Sequence, residues 1–247
     1  GRSLFGSSAA AGSMEDQDEL RQLTDRDGVS LPDAIGAHGV DLDRATDAER
    51  QLDHAAAYLE LHIEQGPVLE SMDLPLGAVL GTFGVERHRV VWRGQAAHAG
   101  STPMDQRRDA LAGASKLALD LRHIAERAGG GAVCTSGDVV CHPGIVTSVV
   151  ETAEQLLDQR HLDAGTLASM LEDAKERSLQ FADEEDLEVD FERIWNIEPI
   201  LFDEQLVRFA EEAIQEVAGQ SHRLPSGPLH DAAEVSRAGI PTVMVFV

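Results

Sequence analysis

Residues 58–67, Tyr-Leu-Glu-Leu-His-Ile-Glu-Gln-Gly-Pro, constrain this chain more than any other stretch. Period-two alternation puts Tyr58, Glu60, His62 and Glu64 on one face of a strand and Leu59, Leu61 and Ile63 on the other. Gly66-Pro67 stops the strand just past His62. In open α/β sheets ligands collect at the carboxyl ends of strands, so a buried strand with a polar face ending there is expected to bind something. His62 is the first functional candidate. Alternation alone leaves the ordinary alternative open, a histidine hydrogen-bonded within a core.

Around this strand the pattern changes character twice. Residues 7–12 read as small and flexible, 16–24 and 31–38 as two short helices, and the acid-rich 41–53 as a solvated run. The key strand spans about 56–65, a short helix 67–72 and a buried strand 76–81. From Val85 to Gly94 the residues alternate in the manner of a half-exposed antiparallel strand, which places a domain boundary near Gly81 to Gly84. A long helix is expected over 105–128, with Leu111, Ala114, Leu117 and Leu121 on one stripe, ended by Gly129-Gly130-Gly131. Strands are expected at 132–135, 138–141, 145–150 and 154–159, a second amphipathic helix at 164–181 and a final strand at 187–195. Strands with two helices on one face make an α+β sandwich. The α/β style then returns, with a helix at 203–217, a loop at 224–227, a helix from 231 to 238 and a buried strand at 242–247. The reading is therefore an α/β chain that leaves one domain (1–83), builds a second (84–197) and re-enters the first (198–247). The chain starts without an initiator Met and stops on the apolar run Val243 to Val247, so it is expected to be a fragment that continues in both directions.

Composition excludes several partners. A formal charge of −24 argues against nucleic acid and anionic membranes, because phosphate neutralisation needs clustered Lys and Arg. No apolar run approaches the roughly 18–20 residues of a membrane span, and no signal segment opens the chain. Cys134 and Cys141 lack CxxC spacing, which suits a reducing compartment. A cytoplasmic protein is the default expectation.

Three further positions can carry chemistry. His98 lies in a turn between Gly94 and Gly100, from which an imidazole could reach a carbonyl or oxyanion; the alternative is an ordinary surface histidine. Arg160 ends a strand in Leu-Asp-Gln-Arg-His-Leu-Asp, where a guanidinium can grip a carboxylate bidentately or simply pair with Asp158 or Asp163. His230-Asp231 follows Ser226-Gly227-Pro228 at a helix start suited to an anionic group; the alternative is an N-cap by Asp231.

Together, His62-Ile-Glu-Gln-Gly-Pro-Val-Leu-Glu70, His98-Ala-Gly-Ser-Thr-Pro-Met104 with Arg107-Arg-Asp-Ala110, and Pro225-Ser-Gly227 with His230-Asp-Ala232 resemble the M20-type metallohydrolases of the carbamoylase and allantoate amidohydrolase group. The resemblance runs from Gly1 to Val247. It implies a zinc-peptidase-like catalytic domain, here partial, interrupted by an α+β lid domain that also forms a homodimer. It implies a hydrolase of linear C–N bonds in small carboxylate substrates. N-carbamoyl-L-amino acids come first, with allantoate, ureidoglycolate and N-carbamoyl-β-alanine as alternatives. Two divalent ions, Zn2+ or Mn2+, Co2+ or Ni2+, would activate water toward the ureido carbonyl without a covalent enzyme intermediate.

The resemblance also implies roles. His62 would ligate one metal, with Gln65 close to the substrate. His98 would stabilise the oxyanion, in many members in the partner subunit's site. Arg160 would hold the substrate carboxylate, and Gly227 to His230 would line the pocket. The family's His-x-Asp segment, bridging Asp, Glu-Glu pair and last His have no counterpart in this sequence, so the chain alone is expected to be inactive. Thr147 stands where much of the family has Asn, thirteen residues before the arginine, so one substrate hydrogen bond is expected to differ. Leu229 replaces a usual Gly and would narrow the pocket. A rival of another class is a non-catalytic dimerisation or binding module.

Overall fold

The computed structural model describes residues 4–14 and 16–247, so the Gly1-Arg2-Ser3 start lies outside the described residues. The chain divides into two units, Gly1–Thr82 with Ile200–Val247, and Phe83–Pro199.

The first unit opens with α1 (Phe5–Ala10), α2 (Gln17–Gln22) and α3 (Leu31–Gly36). An Ala-rich segment expected to be flexible is thus helical at α1, where Ser8 and Ala9 are buried. The acidic run, expected to be solvated, forms a 3-10 helix over Leu42–Leu52. Its acids face water while Leu42 and Ala45 pack with Leu20, which gives the segment an apolar reason to order. Next come β1 (Tyr58–His62), α4 (Val68–Ser71) and β2 (Gly77–Thr82).

The second unit holds β3 (Gly84–Arg93), α5 (Ala110–Ala128), β4 (Val133–His142), β5 (Thr152–His161), α6 (Ala164–Glu185) and β6 (Glu188–Ile197). Its antiparallel sheet has the order β4-β5-β3-β6. One face buries Val90 and Trp92 of β3 and Ala153 and Leu157 of β5 against both helices. Gly113 of α5 sits against the Trp92 ring, where a Cβ would come within 2.5 Å of the indole. Asp109 caps α5 through the Leu111 N–H. The buried stripe of α5 is Ala110, Gly113, Ala114, Leu117, Leu121 and Ile124, and Leu111, expected on that stripe, faces outward. The two strand segments expected at 132–135 and 138–141 are one strand, β4, whose register shifts between Ser136 and Asp138. Residues 145–150 form no strand beyond the single bridge of His98 to Ser148. Ile194 is exposed rather than inward because β6 changes register opposite Arg87/His88.

The chain returns to the first unit with β7 (Ile200–Leu201), α7 (Glu204–Ala218), β8 (Arg223–Ser226), α8 (Asp231–Arg237) and β9 (Thr242–Phe246). The segment 224–227, expected as a loop, thus supplies a strand, which runs parallel to β2. Leu224 fills the core there, and β8 pairs with β2 alone among the described strands, so Pro225 withholds no needed donor. The remaining order is β1-β9-β2-β7, with β1 parallel to β9 and at the edge. This placement corrects the burial expected for β1. Leu59, Leu61 and Ile63 are 66%, 64% and 61% exposed, whereas Tyr58, Glu60 and His62 are half-buried. The polar face is the inner one, because α8 packs on that side through the Ala232 backbone.

Candidate functional site

Burial on the inner face of β1 organises the polar groups of the first unit. Glu60 Oε2 accepts the Ala232 N–H at 2.7 Å, which ties the first turn of α8 to the strand. His230, at the N-cap position of α8, is thereby held beside His62, their ring centroids 4.4 Å apart in an edge-on arrangement. His230 is only 4% exposed. Ser226 Oγ donates to the Pro228 carbonyl at 2.9 Å and lies 2.7 Å from His230 Nε2. With its one proton used, the hydroxyl accepts from Nε2–H, and His230 Nδ1 keeps its lone pair. That nitrogen faces Glu60 Oε1 at 3.9 Å.

His62 is assigned in the same way. Its Nδ1 lies 2.7 Å from the Ile63 carbonyl, an acceptor only, so Nδ1 donates and Nε2 keeps a lone pair. Burial first, and the neighbouring His62 second, push the His230 pKa down to about 4, so the imidazole is neutral at pH 7. Among the described residues, one ligand atom each from Glu60, His62 and His230 lie within 4.8 Å of one another. One carboxylate and two imidazoles, that of His230 neutral, form a donor set that suits a borderline divalent ion such as zinc. The residues therefore fit a metal. With Glu60 Oε2 and His230 Nε2 already bonded within the protein, the atoms left to face an ion are His62 Nε2, His230 Nδ1 and Glu60 Oε1.

The other positions singled out in the sequence fall in distinct settings. Within the 62–70 motif, Glu64 is structural, its two oxygens accepting the Val68 and Leu69 N–H groups at 2.7 and 2.8 Å to cap α4. Gln65 is exposed and adopts φ +56°, a left-handed conformation uncommon outside glycine and frequent at binding sites. Gly227 and Leu229 lie half-buried in the loop between β8 and α8.

In the second unit His98 stands exposed on a loop laced to residues 147–149. Val149 N–H bonds to Ala97 O at 2.8 Å and Ala99 N–H to Thr147 O at 2.9 Å, so His98 and Thr147 are neighbours. Arg107 braces the same loop by donating to the Thr102 and Ala99 carbonyls at 3.1 and 2.7 Å. His98 Nδ1 accepts the Gly100 N–H at 3.1 Å, which leaves Nε2 as the protonated, donating nitrogen. Arg160 stands on the face of β5 away from the helices. It makes the ion pair with Asp158, Nε to Oδ1 at 2.6 Å, while Asp163 instead caps α6.

Glu60, Ser226 and Arg107 carry no assigned role in the sequence reading, although the motifs contain Ser226 and Arg107. Alternation had placed Glu60 on the polar face with His62, so its signal was present. Ser226 and Arg107 act through contacts that spacing does not reveal. No helix among the described residues is long and apolar enough to cross a membrane.

Comparison with known proteins gives these residues a context. A sequence profile described as peptidase family M20/M25/M40 matches residues 27–247. The chain is 34% identical over 244 residues to the N-carbamoyl-L-amino acid amidohydrolase of Geobacillus stearothermophilus, covering 99% of this chain and 59% of that protein. It is 32% identical over 234 residues to the allantoate amidohydrolase of Escherichia coli K12, covering 95% of this chain and 56% of that protein. Among solved structures, a hydantoinase/carbamoylase family amidase from Burkholderia multivorans superposes with a TM-score of 0.85 at 29% identity, covering 100% of this chain and 59% of that one. The chain thus spans less than three fifths of the length of these relatives.

Proposed function

The chain belongs to peptidase family M20/M25/M40, and from that premise we propose that it forms part of a metal-dependent amidohydrolase cleaving linear C–N bonds, with N-carbamoyl-L-amino acids as substrates. The observation that carries this reading is the convergence of His62, Glu60 and His230, with the His230 imidazole neutral and the His62 ring oriented by its Nδ1 bond to Ile63. In this reading His62 Nε2 holds one of two divalent ions, zinc by its donor chemistry. The bound ions would polarise the ureido carbonyl and activate water.

The chain's own residues do the rest. Glu60 anchors α8 and so keeps His230 in register with His62. The Nδ1–H bond to Ile63 fixes the His62 ring so that Nε2 points one way, which saves reorientation on metal binding. His98 offers an Nε2–H to the oxygen that gains negative charge, Gln65 and Gly227 to His230 line the substrate, and Thr147 flanks it beside His98. Arg160 binds the substrate carboxylate. The remaining ligands and the general base would come from the parts of the relatives that this chain does not span. The protein is further proposed to pair as a homodimer through the second unit and to reside in the cytoplasm, in keeping with two unpaired cysteines.

Turnover by the full-length, metal-reconstituted protein on N-carbamoyl-L-amino acids, N-carbamoyl-β-alanine and allantoate tests the reading. The highest kcat/KM is expected on an N-carbamoyl-L-amino acid. Equal inactivity on all three classes with metal bound would reject it.

A further inference from the structure

On the face of the second unit's sheet away from the helices, Asp158 sits between two guanidiniums. Arg87 and Asp158 are register partners across β3 and β5, and Arg87 Nε donates to Asp158 Oδ2 at 2.7 Å. Arg160, two residues along the same strand face, donates Nε to Oδ1 at 2.6 Å and Nη2 to Oδ2 at 3.2 Å. Arg87 is held from its other side by Trp195, its register partner on β6, whose ring centroid lies 5.1 Å from the guanidinium carbon. Burial pushes the Asp158 carboxyl up, but hydrogen bonds from Arg160 and then Arg87 outweigh it and hold the group below its usual range.

The charge count on this face is uneven. Arg89 faces two acids, Glu154 and Glu192, and Arg93 faces Asp190, so those cations are balanced. Arg160 with Asp158 alone would sum to zero and offer an incoming anion little net attraction. Arg87 makes the three-group set net positive, an excess that is local to it, because register also places the acids Asp138 and Glu188 on this face. The bidentate pair with Asp158 fixes the plane of the Arg160 guanidinium, and the single Nε bond from Arg87 holds the carboxylate that does so.

We infer that Arg87 is a positioning residue of the carboxylate subsite. Acting through Asp158, it keeps the Arg160 fork oriented and the three-group set net positive, and so sets how strongly a substrate carboxylate is preferred over a neutral carboxamide. The inference rests on the proposed role of Arg160.

Steady-state kinetics of the full-length protein on an N-carbamoyl-L-amino acid and on its carboxamide test it. Arg87→Met is expected to raise KM for the carboxylate about tenfold, with kcat within about twofold and KM for the carboxamide little changed. Arg87→Lys, which keeps the charge, recovers most of the lost affinity. A rise shared equally by both substrates overturns the inference as structural damage, and so does no rise for either. Should Arg87→Met not fold, Arg87→Gln, which removes the charge while keeping a polar side chain, is read against the same outcomes. Arg160→Ala separates the two possible failures. If it leaves the preference for the carboxylate intact, the role of Arg160 itself falls. If it abolishes that preference while Arg87→Met retains it, only the role of Arg87 falls.

Discussion

The polar side chains of the first unit's site are held by burial, whereas those of the second unit stand at or near the surface and are held by ion pairs and main-chain bonds. His230 is enclosed, kept neutral by desolvation and fixed by Ser226. His98 is exposed, its ring held by the Gly100 N–H and its backbone by the bridge to Ser148 in a loop that Arg107 braces. The difference teaches that the two units are suited to different tasks. Burial preserves uncharged lone pairs for a cation at neutral pH, while an exposed donor or guanidinium keeps its proton and can meet a ligand that arrives from solvent. It follows that changes in the first unit should damage structure and metal together, and changes at the exposed positions of the second should damage kinetics alone.

The sharpest break in this comparison is His62→Ala in the full-length protein. Turnover is expected to fall to background and bound metal to fall with it, measured by kinetics and elemental analysis on the same sample. Full metal content with full activity would remove the first unit from the chemistry.

The next effect belongs to the second unit. His98→Ala should lower kcat by about 10²–10³, as loss of an oxyanion donor does, while the melting temperature moves by less than about 1 °C because the side chain is exposed. A large loss of stability would contradict the contrast.

An internal control comes from His88, a histidine of the second unit that is buried instead of exposed. Burial first, then the positive Arg193 and Lys175, lower its pKa from 6.5 to about 4. The native state therefore binds fewer protons than the unfolded state between these values. The stability this gives is complete above about pH 6.5 and is lost as pH falls toward 4, on the order of 3 kcal/mol in full. Denaturant melts of this chain between pH 4 and 7 should show that loss, and His88→Phe should flatten it.

Ser226→Ala gives the smallest effect. It leaves the buried His230 Nε2–H without its acceptor and should cost about 1–3 kcal/mol of stability, read from denaturant midpoints. No change would mean that His230 is not fixed through Nε2.

Much of this was legible in the sequence, but unevenly. Periodicity reports which side chains share a face and cannot report which face is covered. Tyr58 to Gln65 was readable as a two-faced strand, yet its apolar face is the exposed one because β1 lies at the sheet edge with α8 on the polar side. The helix pair α5 and α6 was readable from apolar spacing, but the buried stripe runs through Ala110, Gly113, Ala114, Leu117 and Leu121, and Leu111, the next residue after Ala110, lies to the side of it. The β8 strand is hidden in the sequence because Pro225 and the following Gly227 are turn formers, and pairing with β2 alone among the described strands makes Pro225 compatible with a strand. Within the site, the His62 and His98 motifs stand out locally. The Glu60–His230 and Arg87–Asp158 pairings join residues 170 and 71 positions apart, and no local pattern encodes them.

The central claim, that β1 presents His62 to a metal ion, has one direct test. Anomalous scattering from zinc-loaded crystals of the full-length protein should show a peak about 2.1 Å from His62 Nε2, with the Nδ1–H bond to the Ile63 carbonyl retained. Zinc peaks elsewhere, with His62 Nε2 bonded only to protein, would contradict the account.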